Sequence, residues 1–152
     1  MTVSITNESP ASADGRLLIG ELDAEIEPLY ARESRHGYSV DKLLAENVDF
    51  FILREDGAPA GCGGVKRIDG EYAEVKRMFV RAPFRGRGLS RLLLEHLSAF
   101  ANERGFPLLR LETGIHQKAA IGLYESAGFV RIRPFGNYFD DPVSLCYEKQ
   151  LR

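Results

Sequence analysis

A mixed α/β fold built around a mixed β-sheet is predicted from three features of the sequence. Asp-Gly pairs at 56–57 and 69–70 each separate apolar runs, and this pattern is the strongest short-range signal of a β-hairpin. Apolar residues recur at helical spacing in three longer segments. One of these segments joins two predicted strands, and a helical crossover of this kind makes the two strands parallel neighbours.

The first part of the chain is predicted to be mainly helical. A short strand over residues 3–5 precedes a helix over residues 13–30. The apolar side chains of this helix fall on one stripe, formed by Leu18, Leu22, Ile26 and Leu29. Ser39 is placed to cap a short helix over residues 40–45.

From residue 48 onward, strands alternate with helices. Strands over residues 48–53, 60–68 and 72–80 form a predicted antiparallel meander. Gly105 and Pro107 end the next helix, over residues 89–104. The remaining elements are predicted as a strand over residues 108–113, a helix over 117–127, and strands over 129–133 and 143–151.

Length and composition indicate a single domain, residues 1–152, and exclude several classes of protein. A chain of 152 residues buries enough surface to need no disulfide or metal, so Cys62 and Cys146 are predicted to be buried free thiols. The His and Cys residues lack metal-ligand spacing, and no metal is expected. Twenty basic and 22 acidic residues argue against a general nucleic-acid binder. The absence of a long apolar run or a signal-peptide pattern makes cytoplasmic location the expectation, with no membrane partner.

The most informative segment is residues 76–91, KRMFVRAPFRGRGLSR, with six basic residues and no acidic one between a predicted strand and a predicted helix. Gly86 and Gly88 allow the backbone to approach a ligand closely, and the helix start offers unpaired N–H groups and a positive dipole end. Positive charge is added by Arg85, Arg87 and Arg91. These features are typical of a pyrophosphate site.

The segment has two other interpretations. An ordinary solvated basic turn stays open on the residues alone. A dinucleotide-binding loop is disfavoured, because Arg91 stands where the G-x-G-x-x-G pattern has its third glycine. The preceding strand also belongs to an antiparallel meander, which that fold does not use.

Residues 85–90, RGRGLS, resemble the acyl-CoA signature R/Q-x-x-G-x-G/A of the GCN5-related N-acetyltransferase (GNAT) family, with Ser90 where Gly or Ala is usual. Residues 74–80, EVKRMFV, are similar to the family's fourth strand, and residues 120–129, AIGLYESAGF, to its second motif. The resemblance covers roughly residues 48–151. It implies the acyl-CoA N-acyltransferase fold, with helices on both faces of the sheet, and acetyl-CoA as co-substrate.

The resemblance also implies which residues bind the cofactor. Backbone groups of Met78 and Val80, on either side of Phe79, would pair with the pantetheine arm, and the Met78 N–H would polarise the thioester carbonyl. Arg85 would open the loop, and the following backbone N–H groups would hold the pyrophosphate: Gly86, Arg87, Gly88, Leu89 and Ser90. Gln117 falls where many members carry an asparagine that contacts the cofactor.

Two residues are candidates for proton transfer. From its place on an apolar helical face, Tyr124 is expected to be a core aromatic residue, whereas the resemblance implies that its hydroxyl donates a proton to the departing CoA thiolate. Glu74 matches a strand position that serves as the base in the histone-acetyltransferase branch. Its alternative role is a solvated or ion-paired carboxylate beside Lys76 and Arg77.

Two loops are predicted to form the acceptor site. Arg32, Arg35 and His36 lie in a segment that covers the acceptor cleft in similar proteins. The other wall is residues 135–142, an aromatic and acidic loop that contains Tyr138. The arginines suit a carboxylate and the second loop suits a cation, so an amino-acid-like acceptor would satisfy both walls.

The sequence therefore predicts an enzyme that transfers acetyl from acetyl-CoA to a primary amine of a small molecule, by direct attack in a ternary complex. The alternatives are a protein, peptide or polyamine acetyltransferase, and a non-catalytic acyl-CoA sensor. A nucleic-acid module resting on the basic segment alone is disfavoured by the acidic balance of the chain. A homodimer stays open, because similar proteins commonly form one.

Overall fold

A mixed β-sheet forms the centre of the protein in the computed structural model, which describes residues 1–35 and 37–151. Its strands are β1 (Val3–Asn7), β2 (Asp49–Glu55), β3 (Ala58–Ile68), β4 (Tyr72–Val80), β5 (Leu108–Gly114), β6 (Val130–Ile132) and β7 (Ser144–Gln150). Their order across the sheet is β1-β2-β3-β4-β5-β7-β6. Neighbouring strands are antiparallel except β4 and β5, which are parallel. The predicted meander and the predicted parallel pair are both confirmed.

The helices cover both faces of this sheet. They are α1 (Ala13–Ile26), α2 (Val40–Ala45), α3 (Leu89–Glu103) and α4 (Lys118–Ser126). Alternation along β2 sends Phe50 into a buried cluster with α1 and α2, and Phe51 into another with α3 and α4. The predicted fold class is confirmed. Within the described residues, no helix has both the length and the apolar character that a membrane crossing requires.

The first hairpin has the backbone that its Asp-Gly pair predicts. Asp56 and Gly57 have φ angles of 50° and 83°, and their neighbours Glu55 and Ala58 form the last pair of β2 and β3. Two consecutive left-handed residues match the right-handed twist of the flanking strands. The chain therefore turns in two residues and brings β3 directly beside β2.

The predicted helix over residues 13–30 is too long. Helix α1 ends at Ile26, and a 3₁₀ helix follows at Glu27–Leu29 with Pro28 in its first turn. Proline has no N–H to donate and its ring clashes with the carbonyl four residues earlier, so the α-helix cannot continue. Leu29 is consequently 42% exposed and does not belong to the buried stripe.

Strands β4 and β5 separate soon after they meet. Among the described residues, they pair only through Ala73 with Leu109 and Glu74 with Arg110. The pairing of β4 with β3 also shifts between Cys62 and Gly64, and Arg77 adopts a left-handed φ of 55° at this irregularity. A bulge of this kind re-aims the strand. The result is an opening in the sheet beyond residue 74, between the end of β4 and the end of β5.

Candidate active site

Two cavities occupy the opening between β4 and β5. The central cavity has a volume of about 410 Å³ and is bounded by α1, β4, β5 and the loops over residues 30–39 and around 138. The glycine-loop cavity has a volume of about 550 Å³ and lies between the end of β4, the start of α3 and α4. The two share wall residues Leu22, Ile26, Met78, Gln117 and Tyr124. A ligand in one cavity is therefore adjacent to a ligand in the other.

The glycine-loop cavity has the features of a phosphate site. Gly86 and Gly88 have φ angles of 79° and 78°, and a Cβ on either would meet no heavy atom within 4 Å. Gly88 caps α3 without a side-chain hydrogen bond, and the first turn of α3 carries no acidic residue. Backbone N–H groups at a helix start bind anions well when no side chain occupies them. The residues present therefore fit the pyrophosphate of a CoA thioester.

Only one of the three predicted arginines lines the described wall of this cavity. Arg85 does so, held by a 2.8 Å hydrogen bond from its Nε to the Val80 carbonyl. The Arg87 side chain turns away and forms an ion pair with buried Glu55. Arg91 donates a 2.5 Å hydrogen bond to Ser126 on α4. The expectation that all three add charge at one place is wrong for these two side chains, which instead anchor the loop and helix α3.

The end of β4 forms the long wall of the glycine-loop cavity. Met78, Phe79 and Val80 all line it, and β5 pairs with β4 only at Ala73 and Glu74 among the described residues. The edge of β4 beside the cavity can therefore pair with an extended ligand, as an additional strand would. The structure thus places the predicted pantetheine residues next to the predicted pyrophosphate residues.

Gln117 lines both cavities, and its side chain also forms a hydrogen bond within the turn between β5 and α4. Its carboxamide oxygen accepts a 3.0 Å hydrogen bond from the Gly114 N–H. The adjacent N–H, of His116, donates to the Tyr30 hydroxyl over 3.0 Å. The predicted cofactor contact through Gln117 is therefore compatible with its position, but the oxygen of the side chain already holds the turn between β5 and α4.

Tyr124 stands between the two cavities. It is 6% exposed, and its ring packs edge-on against Phe129 at a centroid distance of 5.8 Å. Burial raises the pKa of its hydroxyl above the usual range, and the nearby Glu112 charge adds to this effect. The hydroxyl therefore stays protonated at neutral pH and can act as a proton donor.

Glu74 lies beneath the central cavity and is not among the described residues of its wall. Its carboxylate forms an ion pair with the Lys76 ammonium at 2.9 Å and accepts a 2.6 Å hydrogen bond from the Tyr138 hydroxyl. The side chain is 6% exposed. Lys76 and Tyr138 therefore separate the predicted base from the space where an acceptor would bind.

Glu112 is a site residue that the sequence analysis missed. It lies on β5, lines the central cavity, and accepts a 2.6 Å hydrogen bond from Ser144 on β7. Burial raises the pKa of its carboxyl to about 7, so it can take up a proton near neutral pH. One feature of the sequence could have identified it: Glu112 is the single acidic residue in a strand, residues 108–113, that is predicted to be buried.

The two predicted acceptor loops meet over the central cavity. Arg32, Arg35 and Tyr138 all line it, and the Ser34 hydroxyl donates a 2.6 Å hydrogen bond to Asp141 across the loops. His36, the remaining predicted acceptor residue, lies outside the described residues. In the described ranges 1–35 and 37–151, no three or more His, Cys, Asp or Glu side chains are grouped as a metal site.

Comparison with known proteins identifies the family. The model of the acetyltransferase (GNAT) family matches residues 18–129. An IAA acetyltransferase of Azospirillum brasilense is 41% identical over 150 residues, covering 98% of each chain. A crystal structure of a proposed acyl-CoA N-acyltransferase from Klebsiella pneumoniae has a TM-score of 0.85 and 34% identity, covering 99% of each chain. PaiA N-acetyltransferase of Thermoplasma acidophilum, solved with coenzyme A, shares the fold at a TM-score of 0.76 and 20% identity, covering 99% of each chain. The chain belongs to the GNAT family of acetyltransferases and is an acyltransferase that uses acetyl-CoA.

Proposed function

We propose that the protein acetylates a primary amine of a small molecule by direct transfer in a ternary complex. The observation that carries this proposal is the pair Glu112 and Tyr124, a carboxylate and a hydroxyl on the wall of one cavity that adjoins the glycine-loop cavity. Transfer to an amine needs a group that removes the proton of the nucleophile and a group that protonates the leaving sulfur. These two residues supply both functions.

Acetyl-CoA supplies the activated acetyl group. Glu112 takes the proton from the amine, because its raised pKa of about 7 suits a base that works near neutral pH. Tyr124 donates its hydroxyl proton to the sulfur, and the backbone of Met78 orients the thioester at the junction of the cavities. Glu112 replaces Glu74 in this proposal, because Glu112 lines the central cavity and Glu74 is not among the described residues of its wall.

The dimensions of the central cavity favour a small acceptor. Its volume of about 410 Å³ suits a small molecule. The hydrogen bond between Ser34 and Asp141 connects the two loops above it. Loops joined in this way support a compact substrate over a long peptide segment, although both carry the same reacting group.

Cofactor binding is tested by calorimetric titration of the protein with acetyl-CoA, in the wild type, Gly88→Glu and Gly70→Glu. Both glycines have a left-handed φ, 78° and 76°, and open space around the Cβ position, so both substitutions cost similar backbone strain. Only Gly88 lies in the phosphate loop. We expect binding in the wild type and Gly70→Glu, and loss of binding in folded Gly88→Glu.

Acceptor-dependent release of CoA then tests catalysis. A panel of amino acids, simple amines, polyamines and peptides is incubated with acetyl-CoA, and free thiol is measured. Release that depends on a small amine supports the proposal. Binding of acetyl-CoA without release by any amine would favour a sensor, and release only with peptides would favour a protein or peptide acetyltransferase.

A further inference from the structure

We infer that the acceptor carries a carboxylate as well as the reacting amine, and that Arg32 and Arg35 bind this carboxylate. The inference rests on the proposed function and specifies the substrate class of the same site. The acceptor is an amino acid, with its amine directed to the interior of the central cavity and its carboxylate at the loop that carries the two arginines.

The buried cations of the central cavity are already neutralised. Lys76, with 7% of its side chain exposed, forms a 2.9 Å ion pair with Glu74. The Arg77 side chain is 6% exposed and forms an ion pair with Asp23. A carboxylate ligand would have to displace an internal partner to reach either cation, and breaking the buried Lys76–Glu74 pair is costly. These two residues are therefore poor receptors for a second carboxylate.

Arg32 and Arg35 are different, because both are exposed at the cavity wall. Within residues 1–35 and 37–151, neither forms an ion pair with a carboxylate. The Nε of Arg35 donates a 3.1 Å hydrogen bond to the Tyr30 carbonyl, which fixes the stem of the side chain and leaves its terminal nitrogens for a ligand. The Ser34–Asp141 hydrogen bond holds the segment between the arginines against the opposite loop. The Arg35 guanidinium, held in this way, and the exposed Arg32 guanidinium on the same wall together form a suitable carboxylate receptor.

One acidic residue, Glu112, defines the other end of the site. Glu112 is half-buried on β5 inside the cavity, where it would receive the amine. Glu27 also lines the cavity, but it is exposed near the loop that carries the arginines and reduces their net charge from two to one. The electrostatic order is therefore a carboxylate inside and a positive charge outside. A zwitterionic amino acid has the complementary order of charges, whereas a polyamine does not.

Part of the wall of the central cavity is aromatic. Four tyrosines line the central cavity: Tyr30, Tyr38, Tyr124 and Tyr138. Apolar residues from α1, β4 and β5 complete it, among them Leu22, Val75 and Leu111. These tyrosine rings and apolar side chains can pack against a large apolar or aromatic side chain of the acceptor, which a small polar one would not fill. Phenylalanine, tyrosine and leucine are therefore the amino acids expected to react best.

The test compares kcat/KM for amino acids with that for the amines obtained by removing the carboxylate. The pairs are phenylalanine with phenethylamine, tyrosine with tyramine, and leucine with isopentylamine, within a panel of the twenty standard amino acids. Charged hydrogen bonds of this kind contribute roughly 10- to 100-fold in affinity, and we expect the amino acids to be preferred by this factor. The preference should be expressed in KM, because the carboxylate is remote from the reacting atoms.

Arg32→Met and Arg35→Met keep much of the apolar stem of each side chain and remove the charge. Each should lower kcat/KM for the amino acids about tenfold and leave the values for the matched amines within about twofold. Arg133→Met is the control, because Arg133 is exposed and lines neither cavity among the described residues.

Three outcomes would overturn the inference: equal kcat/KM for amino acids and matched amines, an equal loss for both in the variants, or no turnover of any amino acid. Turnover of the amines in the first case leaves the proposed function standing. The proposed function itself fails if acetyl-CoA does not bind, if no amine releases CoA, or if only peptides do, so the two failures are distinguishable.

Discussion

The pH dependence of acetyl transfer is expected to report the ionisation of Glu112. Burial raises the pKa of this carboxyl from 4.5 to about 7, and only the ionised form can accept a proton. At pH 6 about 9% of a group with this pKa is ionised, and at pH 8 about 91%. The contribution of Glu112 to the rate should therefore rise about tenfold between these two pH values.

The assay is a series of CoA-release measurements from pH 5.5 to 9 for the wild type and Glu112→Gln. The acceptor amine titrates in the same range, but it does so identically for both proteins. The ratio of wild-type to variant kcat/KM therefore isolates Glu112, and it should rise about tenfold from pH 6 to pH 8. Glutamine keeps the shape of the side chain and can still accept the hydrogen bond from Ser144.

Glu74→Gln is the comparison that separates the two candidate bases. This substitution removes the negative charge that balances Lys76, so the variant should be less stable than the wild type. The ionisation step near pH 7 in its pH–rate profile should remain. A ratio for Glu112→Gln that does not change with pH would refute the assignment of Glu112 as the base. Loss of the ionisation step in Glu74→Gln alone would return that role to Glu74.

Three further outcomes are expected from the same geometry. Tyr124→Phe should lower kcat by roughly 100-fold or more with little change in stability, because the ring keeps its contact with Phe129. Tyr147→Phe is the control, since the Tyr147 hydroxyl donates a hydrogen bond to Glu125. Unchanged turnover of Tyr124→Phe at every pH would contradict the role of Tyr124 as proton donor. Gly114→Ala places a Cβ 1.9 Å from the Tyr30 hydroxyl and should lower the free energy of unfolding by about 1–3 kcal/mol, as measured by urea denaturation. A loss no greater than that caused by an alanine on a solvent-facing turn would contradict the close packing of Tyr30 on Gly114. Glu112→Gln should stabilise the protein at pH 8 by up to about 3 kcal/mol and hardly at pH 4. The reason is that a carboxyl whose pKa is raised in the folded state lowers the free energy of unfolding as the pH rises from 4.5 to about 7. Equal effects at both pH values would contradict the raised pKa.

Local sequence patterns predicted the parts of the fold that depend on local backbone chemistry. The Asp56-Gly57 turn and the loop containing Gly86 and Gly88 could be predicted because each position needs a left-handed backbone that these residues adopt readily. The end of α1 was also encoded locally, by Pro28, but the apolar spacing that continues to Leu29 concealed it.

The site was harder to predict because its chemistry depends on contacts between distant segments. Glu112 gains its raised pKa from burial in the opening of the sheet, and this burial outweighs the hydrogen bond from Ser144 on β7, which lowers the pKa. Glu74 was selected by its place on β4, and nothing near it in the sequence shows that Tyr138, 64 positions away, donates to its carboxylate. The same limit applies to Arg87 in the loop before α3, whose partner Glu55 lies on β2, 32 positions away.

The division of the walls between the two cavities has a consequence for how such a protein diverges. The glycine-loop cavity is built by β4, α3 and α4, whose residues also form the buried core. Much of the central cavity is contributed by connecting segments near residues 30–39 and around residue 138, which lie outside the sheet. Connecting segments accept substitution more readily than packed strands and helices. Descendants of this gene can therefore acquire new acceptors by exchanging residues in these segments while inheriting the acyl donor unchanged.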